Sequence, residues 1–320
     1  MLVAGDLYEH DRISVAPDTR NFLRDQFAGL DPIAVFVAPG NHDWFGPRSL
    51  YRLVEWSPNV TIFTGSRLEA VELEDGLTLW GAAHSAPAGT PGFLEGFSVD
   101  RGGTHLALFH GSERSGFPFQ EEGKEPHAPF TVEEIQQAGL SHAFVGHYHV
   151  PKDGTSHTYP GNPEPLSFGE DGSRGVVLAE VLGDGSVRRE RVVVSGTRVW
   201  DREIDVTGCT SSHEIIERVR SDISTLSGYV RLTLRGSYDP ASDLRLSDVE
   251  AAFPEFDAVV ARMDSLYPDY DMDLIGQEPT VKGQFVRDVT QAPLDEALRR
   301  RVLITGLRAL EGREDLEVIQ

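Results

Sequence analysis

Two kinds of apolar pattern alternate over residues 1–195. Continuous apolar runs at 33–38 (IAVFVA) and 104–109 (THLALF) read as strands covered on both faces. Shorter strand patterns at 60–63, 68–73 and 77–82 are separated by turns of Gly, Asp and Glu. Residues 1–4 are the stub of a further strand, and 142–145 is another, ending at Gly146. Between them, 17–30 spaces Phe22, Leu23, Phe27 and Leu30 near the helical period. A short helix is predicted over 131–138, where Thr131 and Glu134 make a capping box and Gly139 supplies the stop. Residues 176–181 and 187–194 flank Gly183-Asp184-Gly185 and predict a hairpin. The stretch 111–129, rich in Gly, Pro and charge, predicts a long irregular loop.

The pattern changes near 195–202. Beyond it, helices are predicted at 212–226 and 246–253, strands at 229–234 and 258–263, and a Pro/Asp-rich stretch at 267–278. Residues 294–310 form a charged amphipathic helix with Arg299, Arg300 and Arg301 in mid-run. The expected organisation is an α/β domain over 1–195 and a smaller α+β domain over 196–320. That agrees with the two domains that a length of 320 suggests.

Composition narrows the classes. Hydrophobic residues make up 39% and charged residues 25%, the balance of a soluble globular chain. No window approaches the roughly 20 apolar residues of a membrane span, and no charged-then-apolar leader opens the sequence. Cys209 is the one cysteine, so no intrachain disulfide forms, and a reducing cytoplasm is the expected compartment. A formal net charge of −22 argues against a broad phosphate-neutralising surface. It leaves room for a local basic patch or for phosphate binding through metal ions.

Four motifs sit where strands end: Gly5-Asp6, Gly40-Asn41-His42-Asp43, His110-Gly111 and Gly146-His147-Tyr148-His149. Together they offer a carboxylate, an amide and several imidazoles, a set suited to two divalent metals and phosphoryl chemistry. Gly-Asp alone has the composition of an ordinary turn, and Gly40–Asp43 alone could be a polar turn with Asn41 at positive φ. The Asn41 carbonyl is a good ligand for a hard cation, and the adjacent His42 can donate a proton to a leaving alkoxide. The two imidazoles of Gly-His-Tyr-His can reach two different ions about 3.5–4 Å apart. Glu9 is either surface charge or a group that orients a nearby His. His84, after Gly81-Ala82-Ala83, is a further strand-end imidazole. His10, His105, His127, His142, His157 and His213 have no distinguishing spacing. Tyr159-Pro160-Gly161-Asn162-Pro163-Glu164 is a rigid turn or a loop that buttresses the site.

In this order the motifs resemble the calcineurin-like metallophosphoesterase superfamily. The segments LFHG, FVGHYH and TYPGNPEPLSFGE, followed by a Gly-Val-Val-Leu strand, resemble its SbcD-type DNA repair exonuclease branch. The resemblance implies a four-layer αββα sandwich with a smaller α+β C-terminal capping domain, and two divalent metal ions, Mn²⁺ or similar. Carried over, Asp6 bridges the metals. Asn41, His110 and His147 bind the second metal and His149 helps bind the first. His42 is the general acid or the imidazole that positions the phosphate, with Glu9 orienting it where the family usually has Asp.

The family also opens with Asp-x-His on its first strand, whereas only MLVA precedes Gly5 here. An in-frame Asp-x-His segment upstream of the Met1 codon is therefore expected. The expected function is metal-dependent hydrolysis of a phosphodiester, DNA in the exonuclease reading, with an SbcC-type coiled-coil ATPase as partner. Two alternatives stand beside it. One is a small-molecule phosphodiesterase for cyclic nucleotides or nucleotide conjugates, which the acidic balance favours. The other is a catalytically impaired interaction module for a partner ATPase.

Overall fold

A computed structural model of the chain describes residues 1–9, 16–114, 126–242 and 244–312. His10 and the centre of the expected 111–129 loop lie outside the described residues. The chain divides into two units, Met1–Glu164 with Ser173–Gly196, and Pro165–Gly172 with Thr197–Gln320.

The first unit is built on two sheets. Strands β1 (Leu2–Val3), β2 (Val35–Val37) and β3 (Val60–Ile62) form one, all parallel, in the order β1-β2-β3. The other has six strands: β4 (Glu69–Glu74), β5 (Leu77–Gly81), β6 (Thr104–His110), β7 (His142–Gly146), β8 (Lys152–Asp153) and β9 (His157–Tyr159), in the order β4-β5-β6-β7-β9-β8. Its middle, β5-β6-β7-β9, is parallel, and the outer strands β4 and β8 are antiparallel.

Alternation of side chains along each strand produces the layers. Phe36 of β2, Leu79 of β5, Leu106 and Leu108 of β6 and Phe144 of β7 pack in one cluster between the sheets. Their neighbours turn outward. Val35 and Val37 join Phe27 of α1 (Ala16–Ala28) and Tyr51 of α2 (Leu50–Leu53). Ala107 and Phe109 of β6, with Ala143 and Val145 of β7, meet Ile135 of α3 (Val132–Gln137). The result is helix, sheet, sheet, helix, an α/β sandwich. It explains why β2 and the middles of β6 and β7 are continuously apolar, since both faces are covered.

Local signals agree with these elements. At α3, Glu134 N–H donates to Thr131 Oγ1 and Thr131 N–H to Glu134, closing the capping box. Gly139 follows with φ of 79°. β10 (Gly175–Val181) and β11 (Val187–Val193) form the hairpin, with Val181 opposite Val187, and both valines join the inter-sheet cluster.

One buried histidine of this unit gives a stability test away from the strand ends that carry the motifs. His142, 2% exposed at the start of β7, has Nε2 2.9 Å from Thr158 Oγ1. Burial, aided by nearby Arg189, pushes its pKa down to about 4. The unfolded chain therefore binds the extra proton below about pH 6.5 and the folded chain does not. Stability from this group is complete above about pH 6.5 and is lost as pH falls towards about 4. Urea unfolding at about pH 7.5 and about pH 5 reads this. The loss between them should be smaller in His142→Gln than in wild type, by on the order of 1–2 kcal/mol.

The second unit holds β12 (Val199–Asp205), β13 (Tyr229–Tyr238) and β14 (Ala258–Pro268), all parallel, joined through α4 (Ser212–Ile223) and α5 (Leu246–Ala251). Ile215, Val219 and Ile223 of α4 pack on Val230, Leu232 and Leu234 of β13. Three more helices follow: α6 (Met272–Gln277), α7 (Val281–Gln291) and α8 (Glu296–Leu310). They share a small core of Val286, Leu303 and Leu307. Strand β12 and helices α6 and α7 are elements that the sequence pattern does not single out. Among the described residues no helix is long and apolar enough to cross a membrane.

Candidate metal centre

The four strand-end motifs meet at the carboxyl ends of the parallel strands, the usual ligand-binding edge of such sheets. Asp6 follows β1, Asn41 and His42 follow β2, His110 ends β6, and His147 follows β7. Close approach of the two sheets here depends on glycine. A Cβ on Gly146 would lie 1.9 Å from the Ala4 carbonyl oxygen, and one on Gly40 would lie 2.3 Å from Asp6 Oδ1. Both would also lie 2.8 Å from His110 Nδ1. Any side chain at either position would push the sheets apart or displace the ligands.

His110 is 1% exposed. Its Nδ1 lies 2.8 Å from the Ala4 carbonyl, which can only accept, so Nδ1 carries the hydrogen. That leaves Nε2 directed at Asn41 Oδ1, at 3.0 Å, and Asp6 Oδ2, at 3.1 Å. A carboxylate oxygen, an amide oxygen and an imidazole nitrogen thus face one another. His147 completes the group: donor atoms of Asp6, His110 and His147 all lie within 4.8 Å of one another.

Such a convergence of lone pairs is costly unless a positive charge sits among them. Without an ion, a proton on His110 supplies it. Burial opposes that charge, but Asp6 and the hydrogen bonds to Asp6 and Ala4 carry the His110 pKa upward. Burial also works against the charge on Asp6, but His110 and the His42 backbone N–H hold its carboxyl well below the usual range. His147 moves the other way, down to about 3, through burial and the neighbouring His110 and His127, and so presents a neutral imidazole. The donor set fits a divalent cation, which would displace the His110 proton. The Nδ1–H anchor to a backbone carbonyl is the arrangement that orients an imidazole ligand.

The backbone here is strained. Asp6 has φ of 55° and His147 of 115°, both in the left-handed region that residues other than glycine seldom adopt. Asp43 fixes the first of these. It is fully buried, and its carboxylate accepts from Asp6 N–H (3.0 Å), Leu7 N–H (2.8 Å), Gly40 N–H (2.6 Å) and Tyr51 O–H (2.5 Å). One side chain therefore ties the Gly-Asp turn to the Gly-Asn-His turn. Burial and the neighbouring Asp6 charge push its pKa up, against the hydrogen bonds from Tyr51, Leu7 and Gly40.

His42 and Glu9 stand at the rim, both half exposed, with His42 Nδ1 3.1 Å from Glu9 Oε2. His42 N–H donates to Asp6 Oδ1 at 2.9 Å, placing the imidazole beside the ligand group. His149 is exposed, and its donor atoms are not part of the Asp6–His110–His147 group. Its carbonyl accepts from Asn162 N–H at 3.2 Å and from Arg174. His84 is fully buried and serves as a brace, with Nε2 2.7 Å from the His110 carbonyl oxygen.

The sequence pattern assigns no role to Asp43 and does not single out His127 or Arg174. Asp43 was visible only as the last letter of its motif. The His127 ring lies 5.3 Å from that of His147 and 6.3 Å from that of His84, a proximity that only the folded chain creates.

Comparison with known proteins agrees with this geometry. Residues 1–151 match the calcineurin-like phosphoesterase family. Over 254 residues the chain is 28% identical to metallophosphoesterase YhaO of Bacillus subtilis, covering 74% of this chain and 60% of that protein. Over 131 residues it is 33% identical to the DNA double-strand break repair protein Mre11 of Methanopyrus kandleri, covering 36% of this chain and 27% of that one. The chain thus aligns with less than two thirds of either relative. The family match spans the segment that carries β1 to β7 and the converging donors Asp6, Asn41, His110 and His147.

Proposed function

We propose that the chain is a metal-dependent phosphodiester hydrolase acting on DNA, with Mn²⁺ as its working metal. The observation that carries this reading is the convergence of Asp6, Asn41, His110 and His147 on one point at the sheet edge. Those four side chains would hold the cation. Divalent ions bound there supply charge neutralisation for a phosphoryl group and lower the pKa of water. The partial likeness to Mre11 supports DNA as the substrate, and an SbcC-type coiled-coil ATPase is the partner that the reading proposes.

The chain's own residues divide the remaining tasks. His42, held by Glu9, is exposed enough to meet substrate and delivers a proton to the departing sugar oxygen. Asp6 has Oδ1 committed to His42 N–H and Oδ2 turned to His110, so one carboxylate links the backbone of the acid to the donor group. Asp43 keeps both turns in place from behind.

A second reading, hydrolysis of a small phosphodiester, is favoured by the net charge of −22, which would repel a long polyanion. One assay separates them. The purified chain is given linear duplex DNA and bis(p-nitrophenyl) phosphate, each with Mn²⁺ or with chelator. Mn²⁺-dependent cutting of both is the expected result. Cleavage of the small diester alone would favour the second reading, and no metal-dependent cleavage of either would end both.

A further inference from the structure

We infer that Arg174 is a positioning residue for the metal centre, holding the turn after β7 so that His147 faces Asp6 and His110. The inference rests on the reading of that cluster as a metal site. His147 adopts φ of 115°, a conformation that surrounding contacts must enforce. The turn it begins runs on to His149, and there the contacts are found.

Arg174 is 1% exposed and heads the fully buried side chains by volume. Its Nη1 donates to the His149 carbonyl and, at 2.9 Å, to Asn162 Oδ1. Asn162 N–H donates to the same His149 carbonyl at 3.2 Å. Two donors from separate segments therefore converge on one backbone oxygen, two residues beyond the ligand. Gly161 makes the approach possible: its φ is 73°, and a Cβ there would lie 2.6 Å from the His149 oxygen. Arg174 is itself anchored, since its carbonyl accepts from Val194 N–H (3.2 Å) and Ser195 N–H (3.3 Å) at the end of β11. The order of control runs from the hairpin to the guanidinium, to the His149 carbonyl, to the backbone of His147. Nothing in it requires Arg174 to touch a metal or substrate.

The test measures Mn²⁺ affinity directly, by calorimetry and by the spin-resonance signal of free Mn²⁺, beside turnover at saturating Mn²⁺. Arg174→Gln should weaken Mn²⁺ binding roughly 10–100-fold, as loss of an outer support of a metal ligand does. Turnover at saturating metal should stay within about threefold of wild type, because the ligands themselves remain. Arg174→Lys, which keeps the charge without the planar fork, should recover part of the affinity. Asn162→Ala removes the Oδ1 acceptor that holds the guanidinium and leaves the residue 162 backbone N–H on the His149 carbonyl. It should weaken binding several-fold, and it carries the test if Arg174→Gln does not fold. Ile135→Val in the α3 core is the control, losing about 1 kcal/mol of stability with unchanged Mn²⁺ affinity.

Folded Arg174→Gln or Asn162→Ala with wild-type Mn²⁺ affinity would overturn the inference. So would an Ile135→Val variant that loses affinity equally. Wild type that binds no Mn²⁺, or His147→Ala that binds it as well as wild type, would instead overturn the metal-site reading, and this inference with it.

Discussion

His147→Ala is expected to reduce Mn²⁺-dependent phosphodiester hydrolysis by ~10³-fold or more, because it removes one of the converging donors outright. The side chain is only partly buried, so the apo fold should survive. Burial already disfavours a charge on this imidazole, and its removal leaves no new buried charge. The two effects separate in a thermal melt. Wild type should melt higher when Mn²⁺ is added, by the linkage that stabilises any state that binds a ligand, about 2.7 kcal/mol at a hundred times Kd. The alanine variant should melt near apo wild type and gain little from Mn²⁺. Equal metal-induced stabilisation in both proteins would remove His147 from the ligand set.

Asp43→Ala should have the largest effect on the fold. Three backbone N–H groups and the Tyr51 hydroxyl lose their acceptor in a fully buried place. Each unsatisfied buried donor costs about 1–3 kcal/mol. Partial rescue by water keeps the sum on the order of 4 kcal/mol. Asp43→Asn retains the shape but turns an NH₂ towards one of those N–H groups, so it should lie between. Urea unfolding measures the loss, and Mn²⁺ titration of the folded fraction should show weakened binding as well. Asp43 fixes the Asp6 and Gly40 backbones from behind the donor group. A stability loss under about 1 kcal/mol in Asp43→Ala would show that the turns hold without it.

How much of this was legible beforehand differs between the two units. The central strands of the sandwich were readable because burial on both faces keeps β2 and the middles of β6 and β7 continuously apolar. The motifs were readable because their donor side chains sit directly after those strands. The helix α3 carried its own boundary signals in Thr131, Glu134 and Gly139.

The second unit was harder for identifiable reasons. β12 carries Asp201, Arg202 and Glu203 in mid-strand, and their charge masks the strand pattern. Asp201 is satisfied by Arg231 on β13, a partner thirty positions away. Helix α7 has Gly283, Val286 and Val289 within eleven residues, a weak helix former by propensity. It is helical because Phe285, Val286 and Val289 pack against α6 and α8. Gly283 N–H bonds to Thr280 Oγ1 at its start.

Within the site, the motif residues were visible and their supports were not. The clamps made by Asp43 and Arg174 join segments far apart in the chain, and no local spacing encodes them. His149 illustrates the same limit. Its place in the motif marks it as a ligand by resemblance, and nothing local shows that its backbone carbonyl also accepts from Arg174 and Asn162. His84 is similar. It is a strand-end imidazole by position and a brace under His110 by contact.

Anomalous diffraction from crystals grown with Mn²⁺ tests the central claim most directly. A manganese peak is expected within bonding distance of Asp6, Asn41, His110 and His147 together, with His110 Nδ1 still on the Ala4 carbonyl. Manganese bound elsewhere, with those four side chains facing one another and no metal between them, would contradict it.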